Sequence, residues 1–241
     1  MSEQKNIINY YNDFVEDQVD LGINERIYNL YKRLIGLGLN SGSTILELGC
    51  GVGTMTHLLS KKIKTGRIES VDFSTKSIEF AIKKIQKSNI QFFANDVVNY
   101  TPKLKNINFI TLFDVIEHIP IENHLQLFNN LAKIANEDTI IAINIPSAEH
   151  IQYDINNCPE KLQIIDQPIS LAFMVENITK SNLSLQFFET YGIWVENDYQ
   201  FLVITKKIKF NEIALQSKRS FFEKVFNKLK RIYIKLCYNY K

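Results

Sequence analysis

Three glycines follow an apolar run and an acidic residue in the stretch ILELGCGVGT. Gly49, Gly51 and Gly53 have no Cβ, so the turn that they form lets a ligand come close to the backbone. A dinucleotide-binding turn has the pattern G-x-G-x-x-G, and a phosphate loop ends in Gly-Lys-Ser/Thr. Threonine occupies both positions at which the last dinucleotide glycine is expected, and no phosphate loop follows. The turn is therefore interpreted as a ligand site built without a pyrophosphate contact.

Acidic side chains end three successive strand-like runs. Glu47 comes just before the glycines, where a carboxylate repels a diphosphate and attracts a cation. The alternative, that Glu47 only supports the turn, stays open. Asp72, in ESVDFS, can accept hydrogen bonds from ribose hydroxyls, and Asp96, in FFANDVV, can accept one from an adenine amino group. Three acids in corresponding positions favour a binding site over packing.

Alternating strand-like and helix-like segments bring these acids to one edge of a sheet. The strands are short and apolar, as in a parallel sheet that is covered on both faces. We expect an α/β fold: a doubly wound, mostly parallel, seven-stranded Rossmann-like sheet with an antiparallel final strand. Strands are predicted at 43–48, 67–71, 90–94, 108–113, 139–145, 184–194 and 198–208, and helices at 23–39, 54–63, 74–87, 121–135 and 169–181. Residues 146–168 are predicted to be irregular and, because they follow the carboxyl end of a strand, to line the substrate side of the site.

Four motifs, ILELGCGVGT, ESVDFS, NDVV and FDVIEHIP, resemble in order and spacing those of the class I S-adenosylmethionine-dependent methyltransferases. The match covers roughly residues 40–145 and, more weakly, 184–206. The resemblance implies S-adenosylmethionine as the cofactor, which agrees with acids and aromatic faces around a cationic, ribose-bearing ligand. It implies that Glu47 and the backbone of Gly49, Gly51 and Gly53 hold the methionine portion of the cofactor. Asp72 would bind the ribose, Phe73 would lie against the adenine ring, and Asp96 and Val97 would contact the adenine edge. Asp114 would lie near the sulfonium.

Candidate catalytic residues follow the fourth predicted strand. The sulfonium methyl is already activated, so the enzyme mainly aligns an in-line displacement, and a base is needed only for a hydroxyl acceptor. Glu117 and His118 are the candidates in FDVIEHIP, with His118 either a general base or a cap of the next helix. His150 is the second candidate base. Tyr11 belongs to a segment that often covers the cofactor in this family, or it packs an N-terminal helix onto the sheet.

A metal ion is not predicted. Some quinone-pathway relatives have a Glu-His pair linked to a metal, but this sequence has no further ligand set. The chain has three cysteines without ligand spacing, which is typical of a reduced, cytoplasmic protein. Apolar residues make up 45% of the 241 residues and charged residues 22%, as in a soluble domain, and no signal peptide or membrane-length apolar run is found.

The charge is unevenly distributed along the chain. From Asn211 onward eight basic and two acidic residues give +6, which leaves −4 for the rest of the +2 total. We therefore expect an N-terminal helical cap (1–40), a methyltransferase domain (41–210) and a basic amphipathic helix (211–241). The segment 217–241 either contacts the inner face of an anionic membrane or packs on protein, and a homodimer stays open. Nucleic acid is disfavoured as a substrate or partner, because the part of the chain before Asn211 carries a net negative charge.

The predicted function is methylation of a small molecule. A sugar or cell-surface polysaccharide (capsule) precursor is favoured as the acceptor, on O or N, by family-level analogy. The alternatives are a quinone or lipid O-methyltransferase at the membrane, an RNA methyltransferase, and a non-catalytic cofactor-binding partner subunit.

Overall fold

A seven-stranded sheet with helices on both faces forms the larger part of the protein, as a computed structural model shows for residues 15–206 and 220–237. Its order is β3-β2-β1-β4-β5-β7-β6, and only β7 runs antiparallel to its neighbours. The predicted fold class is confirmed. The strands are β1 (Ile45–Leu48), β2 (Ile68–Asp72), β3 (Ile90–Ala94), β4 (Phe109–Phe113), β5 (Ile140–Pro146), β6 (Leu183–Tyr191) and β7 (Tyr199–Lys206).

Eight α-helices lie within the described residues. They are α1 (Val15–Leu21), α2 (Glu25–Gly36), α3 (Thr54–Lys62), α4 (Thr75–Lys84), α5 (His124–Ile134), α6 (Ala148–Asn157), α7 (Leu171–Lys180) and α8 (Phe221–Cys237), with short 3₁₀ turns at Ile116–His118, Ile121–Asn123 and Pro159–Lys161.

The central strand β1 positions the glycine turn. It pairs in parallel with β2 and β4, with Leu48 opposite Val71 and Leu112. The N–H groups of Gly49 and Cys50 then both donate to the carbonyl of Val71, at 2.8 and 3.0 Å. The turn therefore begins at the carboxyl edge of the sheet, where ligands bind in folds of this kind.

Two apolar layers cover the sheet. One contains residues of α5 and α7, such as Phe128 and Met174, and the other contains residues of α2 and α3, such as Leu34 and Leu59. In β1, Leu46 faces the first layer and Ile45 the second, as the alternation of a strand requires. Because both faces of the sheet are buried, the strands are continuous apolar runs in the sequence.

Side-chain caps fix where the helices begin. Ser74 is the N-cap of α4, because its hydroxyl accepts a hydrogen bond from the Ser77 N–H at 3.1 Å. Asn24 similarly caps α2 by accepting from Ile27 N–H at 3.0 Å.

The irregular structure predicted for 146–168 is partly wrong, because α6 occupies Ala148–Asn157. Ser147 caps it by accepting from the His150 N–H at 3.2 Å. Only Ile151 in this helix is buried. Its other large apolar residues, Tyr153 and Ile155, are exposed, and prolines flank the segment in the sequence, so the pattern favoured a loop.

The hairpin between β6 and β7 was predicted, and the antiparallel pairing confirms it. The carboxylate of Asp198 accepts hydrogen bonds from the N–H groups of Ile193, Trp194 and Val195, at 2.8 to 3.1 Å. One acid therefore holds the whole connection that carries Trp194.

The chain divides into a first unit, Met1–Lys207, and a second, Ile208–Lys241. The second contains α8, which begins with a capping box: Ser220 Oγ accepts from Glu223 N–H at 3.2 Å and Ser220 N–H donates to the Glu223 carboxylate at 2.8 Å. Helical periodicity places its aromatic and aliphatic residues along one side and its lysines mostly along the other. No helix in 15–206 or 220–237 is long and apolar enough to cross a membrane.

Replacing Gly49 with alanine tests the turn. Gly49 has φ +81°, and a Cβ there would lie 2.1 Å from Val115 Cγ2. We expect Gly49→Ala to lower the free energy of unfolding by about 2–4 kcal/mol in urea denaturation. Gly36→Ala is the matched control, since a Cβ on Gly36 meets nothing within 4 Å. An equal effect of both substitutions would contradict this account.

Candidate active site

Glu47 lies beneath the glycine turn in a network of hydroxyl groups. It is 4% exposed, and its Oε2 accepts hydrogen bonds from Ser70 Oγ, at 2.8 Å, and from Thr56 Oγ1. Burial raises the pKa of Glu47 to about 7, because the charged form loses its hydration. These contacts correspond to the alternative in which the acid supports the turn, and a direct contact with a ligand stays a prediction.

Asp72 joins the turn to the start of α4. Its Oδ2 accepts from the Gly51 N–H at 2.7 Å and its Oδ1 from the Ser74 N–H at 2.9 Å. Burial raises the pKa of Asp72. The Phe73 N–H also contributes a hydrogen bond to this carboxylate, which leaves one of its four lone pairs to accept a hydrogen bond from a ligand.

The other predicted adenine contacts lie after β2 and β3, at the same edge. Phe73 is partly buried directly after Asp72. Asp96 Oδ1 accepts from the Val98 N–H at 2.9 Å, and the intervening Val97 is buried. The structure therefore brings the ends of β1, β2 and β3 together as predicted, while the cofactor contacts themselves stay predictions.

Helix α1 lies against the glycine turn. A Cβ on Gly51 would lie 2.9 Å from Gln18 Oε1, the end of a flexible side chain, so the φ of +52° is the stronger reason for glycine here. That Oε1 is buried, and no described residue donates a hydrogen bond to it. A buried acceptor without a partner is a position at which a bound ligand can donate a hydrogen bond. Tyr11, which was predicted to cover the cofactor, lies outside the described residues.

Asp114 follows β4 in a left-handed conformation, with φ 55°. Its Oδ2 lies 2.8 Å from Arg26 Nη1 and its Oδ1 accepts from Asn144 Nδ2 at 3.2 Å. Burial raises the pKa of Asp114, although Arg26 opposes that rise. Asp114 is therefore held by two neighbours, one of them from α2.

Arg26 is one residue of this site that the sequence analysis missed. Its Nη1 also donates to Tyr199 Oη at 2.9 Å, and its guanidinium lies 5.7 Å from the Trp194 ring centroid and 5.5 Å from that of Tyr199. Its Nε is buried and has no hydrogen-bond partner in the described part of the chain. The polar face of a predicted amphipathic helix carried no signal that would single out one arginine.

Glu117 and His118 form a buried group with Asp166. His118 Nδ1 lies 3.0 Å from Asp166 Oδ1 and 2.6 Å from the carbonyl oxygen of Ile165, and its Nε2 lies 3.9 Å from Glu117 Oε1. Burial lowers the pKa of His118, but the two carboxylates raise it more strongly, to about 9. Burial raises the pKa of Glu117, which is 1% exposed, to about 8. Asp166 was not predicted, because it lies in the segment taken as irregular.

His150 has different neighbours. On α6, its Nε2 lies 3.8 Å from Asp154 Oδ2, one helical turn away. The described contacts therefore join Glu117 and His118 to each other but do not join His150 to them. Within 15–206 and 220–237, no group of three or more His, Cys, Asp and Glu side chains is arranged to hold a metal ion.

Asp166→Asn tests the charge on His118. A raised pKa means that the His118 contribution to stability is fully present below pH 6.5 and is lost as the pH rises through about 9. We expect the substitution to lower the His118 pKa, because it removes one of the two carboxylates, and proton NMR of the imidazole measures this. Asp154→Asn, which removes the partner of His150, is the control. An unchanged His118 titration in Asp166→Asn would refute the interpretation.

Known proteins resemble the chain in both sequence and fold. Residues 22–188 match the family of the methyltransferase domain. Malonyl-[acyl-carrier protein] O-methyltransferase 1 of Ilyobacter polytropus is 28% identical over 194 residues, which is 78% of this chain and 71% of that protein. Trans-aconitate 2-methyltransferase of Escherichia coli (strain K12 / DH10B) is 26% identical over 122 residues, 51% of this chain and 46% of its own length. Ribosomal protein L11 methyltransferase of Thermotoga maritima is 24% identical over 107 residues, 44% of this chain and 38% of its own length.

Solved structures show the same fold. Magnesium protoporphyrin IX methyltransferase from Synechocystis PCC 6803, with bound S-adenosylhomocysteine, superposes with a TM-score of 0.66 at 14% identity, over 84% of this chain and 99% of that one. The same protein with bound S-adenosylmethionine gives a TM-score of 0.62 at 14% identity, over 86% of this chain and 98% of that one. The chain belongs to the methyltransferase domain family of the class I S-adenosylmethionine-dependent superfamily, and it is a methyltransferase whose cofactor is S-adenosylmethionine.

Proposed function

We propose that this methyltransferase O-methylates a carboxylate of a small or carrier-bound organic acid, beside Arg26 and Asp114. Arg26 is the observation that carries the proposal. Its Nη1 is occupied by Asp114 and Tyr199, whereas no hydrogen-bond partner of Nε or Nη2 lies within the described residues. The two N–H groups on the Nε–Nη2 edge of a guanidinium have the spacing of two carboxylate oxygens. A carboxylate acceptor can therefore accept both hydrogen bonds from this edge.

The protonation states of Glu117 and His118 support an acceptor that needs no base. The raised pKa of His118 favours the protonated imidazole at neutral pH. Because the charge of Glu117 is one cause of this shift, the two groups titrate as a pair and not independently. A hydroxyl acceptor requires a group that takes up a proton. A carboxylate is already ionised at neutral pH, so it needs none.

The names of two relatives point to the same class of acceptor. The malonyl group and aconitate are both carboxylic acids, and these are the acceptors that the two relatives are named for. Neither similarity determines the acceptor of this chain, since both identities are below 30%.

The residues at the carboxyl edge fit the cofactor. Gly49, Gly51 and Gly53 form a turn with positive φ and no Cβ, and Gln18 Oε1 is a buried acceptor next to it that lacks a described partner. We assign the methionine portion to this turn. The ribose is assigned to Asp72, and the adenine to Phe73, Asp96 and Val97.

When bound, S-adenosylmethionine supplies a methyl group on a positively charged sulfur. Asp114 places a carboxylate near that charge. Arg26 holds both oxygens of the acceptor carboxylate, and the remaining lone pair of one of them points at the methyl carbon. Trp194, which is 61% exposed, and Tyr199 cover the reacting groups from the hairpin side. His118, as a cation, adds a positive field near Asp114.

The other predicted acceptors stay predictions. No described side chain or named relative supports a sugar or polysaccharide precursor, and the same is true of a quinone or lipid. Contact with an anionic membrane through 217–241 is supported by the amphipathic character of α8. Sedimentation with anionic vesicles, with and without this segment, tests it. The intact turn favours cofactor binding, and detection of a methylated product tests the non-catalytic alternative.

Asp72→Ala tests the ribose assignment. We expect the affinity for S-adenosylhomocysteine to fall by about tenfold or more in calorimetry, because hydrogen bonds to a charged group are lost. A 2′,3′-dideoxy analogue separates a direct contact from a loosened turn. It should bind the wild type weakly and should bind Asp72→Ala with no additional loss. An equal additional loss in the variant would contradict the assignment.

Arg26→Lys tests the acceptor. Lysine keeps the charge but loses the planar edge, so we expect KM for a carboxylate acceptor to rise by about tenfold or more. Calorimetry should show unchanged affinity for S-adenosylhomocysteine. The product should be a methyl ester, which alkali hydrolyses to methanol, whereas methyl ethers and N-methyl groups resist alkali.

Arg33→Lys is the matched control for this experiment. Arg33 lies on the same helix, stacks on Tyr191, 4.2 Å from its ring centroid, and pairs with Glu189 at 2.6 Å. Its Nε is buried without a described partner, as in Arg26, but its carboxylate partner lies on β6 and not at the end of β4, as Asp114 does. We expect its KM to stay unchanged. An alkali-resistant product, or the same rise in KM for both variants, would refute a carboxylate acceptor.

A further inference from the structure

A cluster of cations surrounds a concave surface between α3 and α4. The cavity has a volume of about 440 Å³. Ser60, Ile85 and Gln86 form its uncharged lining. Its basic side chains are His57 and Lys61 on α3, Lys83 and Lys84 at the end of α4, and Lys87 just after it.

This group forms no ion pair with a carboxylate in the part of the chain that the structure describes. None of the four lysines lies within 4.0 Å of an acidic oxygen in the described ranges 15–206 and 220–237. The carboxyl-terminal ends of the two helices provide some compensation, about half a negative charge each. The four ammonium groups therefore keep a net charge of roughly +3 after this compensation. Mutual repulsion on this scale favours binding of an anion.

One lysine is fixed in place. Lys87 Nζ donates to the carbonyl oxygen of Ser60 at 2.7 Å, which spans from the end of α4 to the last turn of α3. The wall of the cavity is therefore partly preorganised. Burial lowers the pKa of His57, and so do Lys61, Lys87 and Lys84. The imidazole thus senses the same positive field as an incoming anion would.

We propose that this cluster, formed by His57, Lys61, Lys83, Lys84 and Lys87, is a binding site for the phosphate groups of an anion that carries at least two of them. Ammonium groups bind phosphate oxygens through charge-assisted hydrogen bonds. A cavity of this volume accommodates a small ligand.

The site is separate from methyl transfer. Helices α3 and α4 begin at the carboxyl edge, at Thr54 and Thr75, and run back along the sheet. Their last-turn lysines therefore lie towards the opposite edge of the sheet from Asp72 and Asp114. The proposal does not rest on the identity of the methyl acceptor.

Inorganic pyrophosphate is the probe for a soluble ligand, used with the full chain. We expect it to bind in calorimetry and to raise the His57 pKa in NMR, because the added negative charge stabilises the imidazolium. Lys61→Gln/Lys84→Gln should weaken this binding by about tenfold, since two of four charges are lost. Lys32→Gln/Lys133→Gln, which removes two exposed lysines of α2 and α5, is the control and should bind as the wild type does.

Vesicles of phosphatidylglycerol, whose surface presents many phosphate groups together, distinguish a lipid surface from a soluble phosphate compound. If Lys61→Gln/Lys84→Gln weakens sedimentation with vesicles and pyrophosphate does not bind, the phosphates are those of a lipid surface. If pyrophosphate binds and vesicle binding is unchanged, the ligand is soluble. Equal behaviour of both double variants in both assays would overturn the proposal.

Discussion

The two hydrogen bonds accepted by Asp72 are the constraint on which the site depends. They connect the N–H of Gly51, in the turn after β1, to the N–H of Ser74, at the start of α4. The glycine turn is thereby fixed against the next strand, while Glu47 supports it from below through Thr56 and Ser70. Without these acids, a turn with three positive-φ residues would have few reasons to adopt one conformation.

The sequence predicted the sheet and the carboxyl edge well because local signals determine both. Apolar strands, capped helices and glycine turns leave patterns within a few residues of each other. Arg26 and Asp166 leave none, because their partners, Tyr199 and His118, lie 173 and 48 positions away. Helix α6 was missed for a different reason, since its large apolar residues are mostly exposed and prolines flank the segment.

Thr56 shows how a departure from a known pattern can be informative. It occupies a position where a dinucleotide turn has its last glycine, and its hydroxyl instead donates to Glu47. A glycine there would leave that buried carboxylate with one fewer donor. Thr56 therefore both excludes a dinucleotide turn and offsets part of the cost of burying the Glu47 carboxylate beneath this turn.

Asp198 has a consequence for how an acceptor is recognised. By accepting three N–H groups it fixes the connection that carries Trp194, although that indole is largely exposed. A rigid loop loses little conformational entropy when a ligand binds. Less of the free energy of its contacts is therefore offset, and the affinity is higher. Under the proposed function, an exposed aromatic residue held in this way selects acceptors by shape, because a rigid side chain does not rearrange to admit molecules that do not fit beside it.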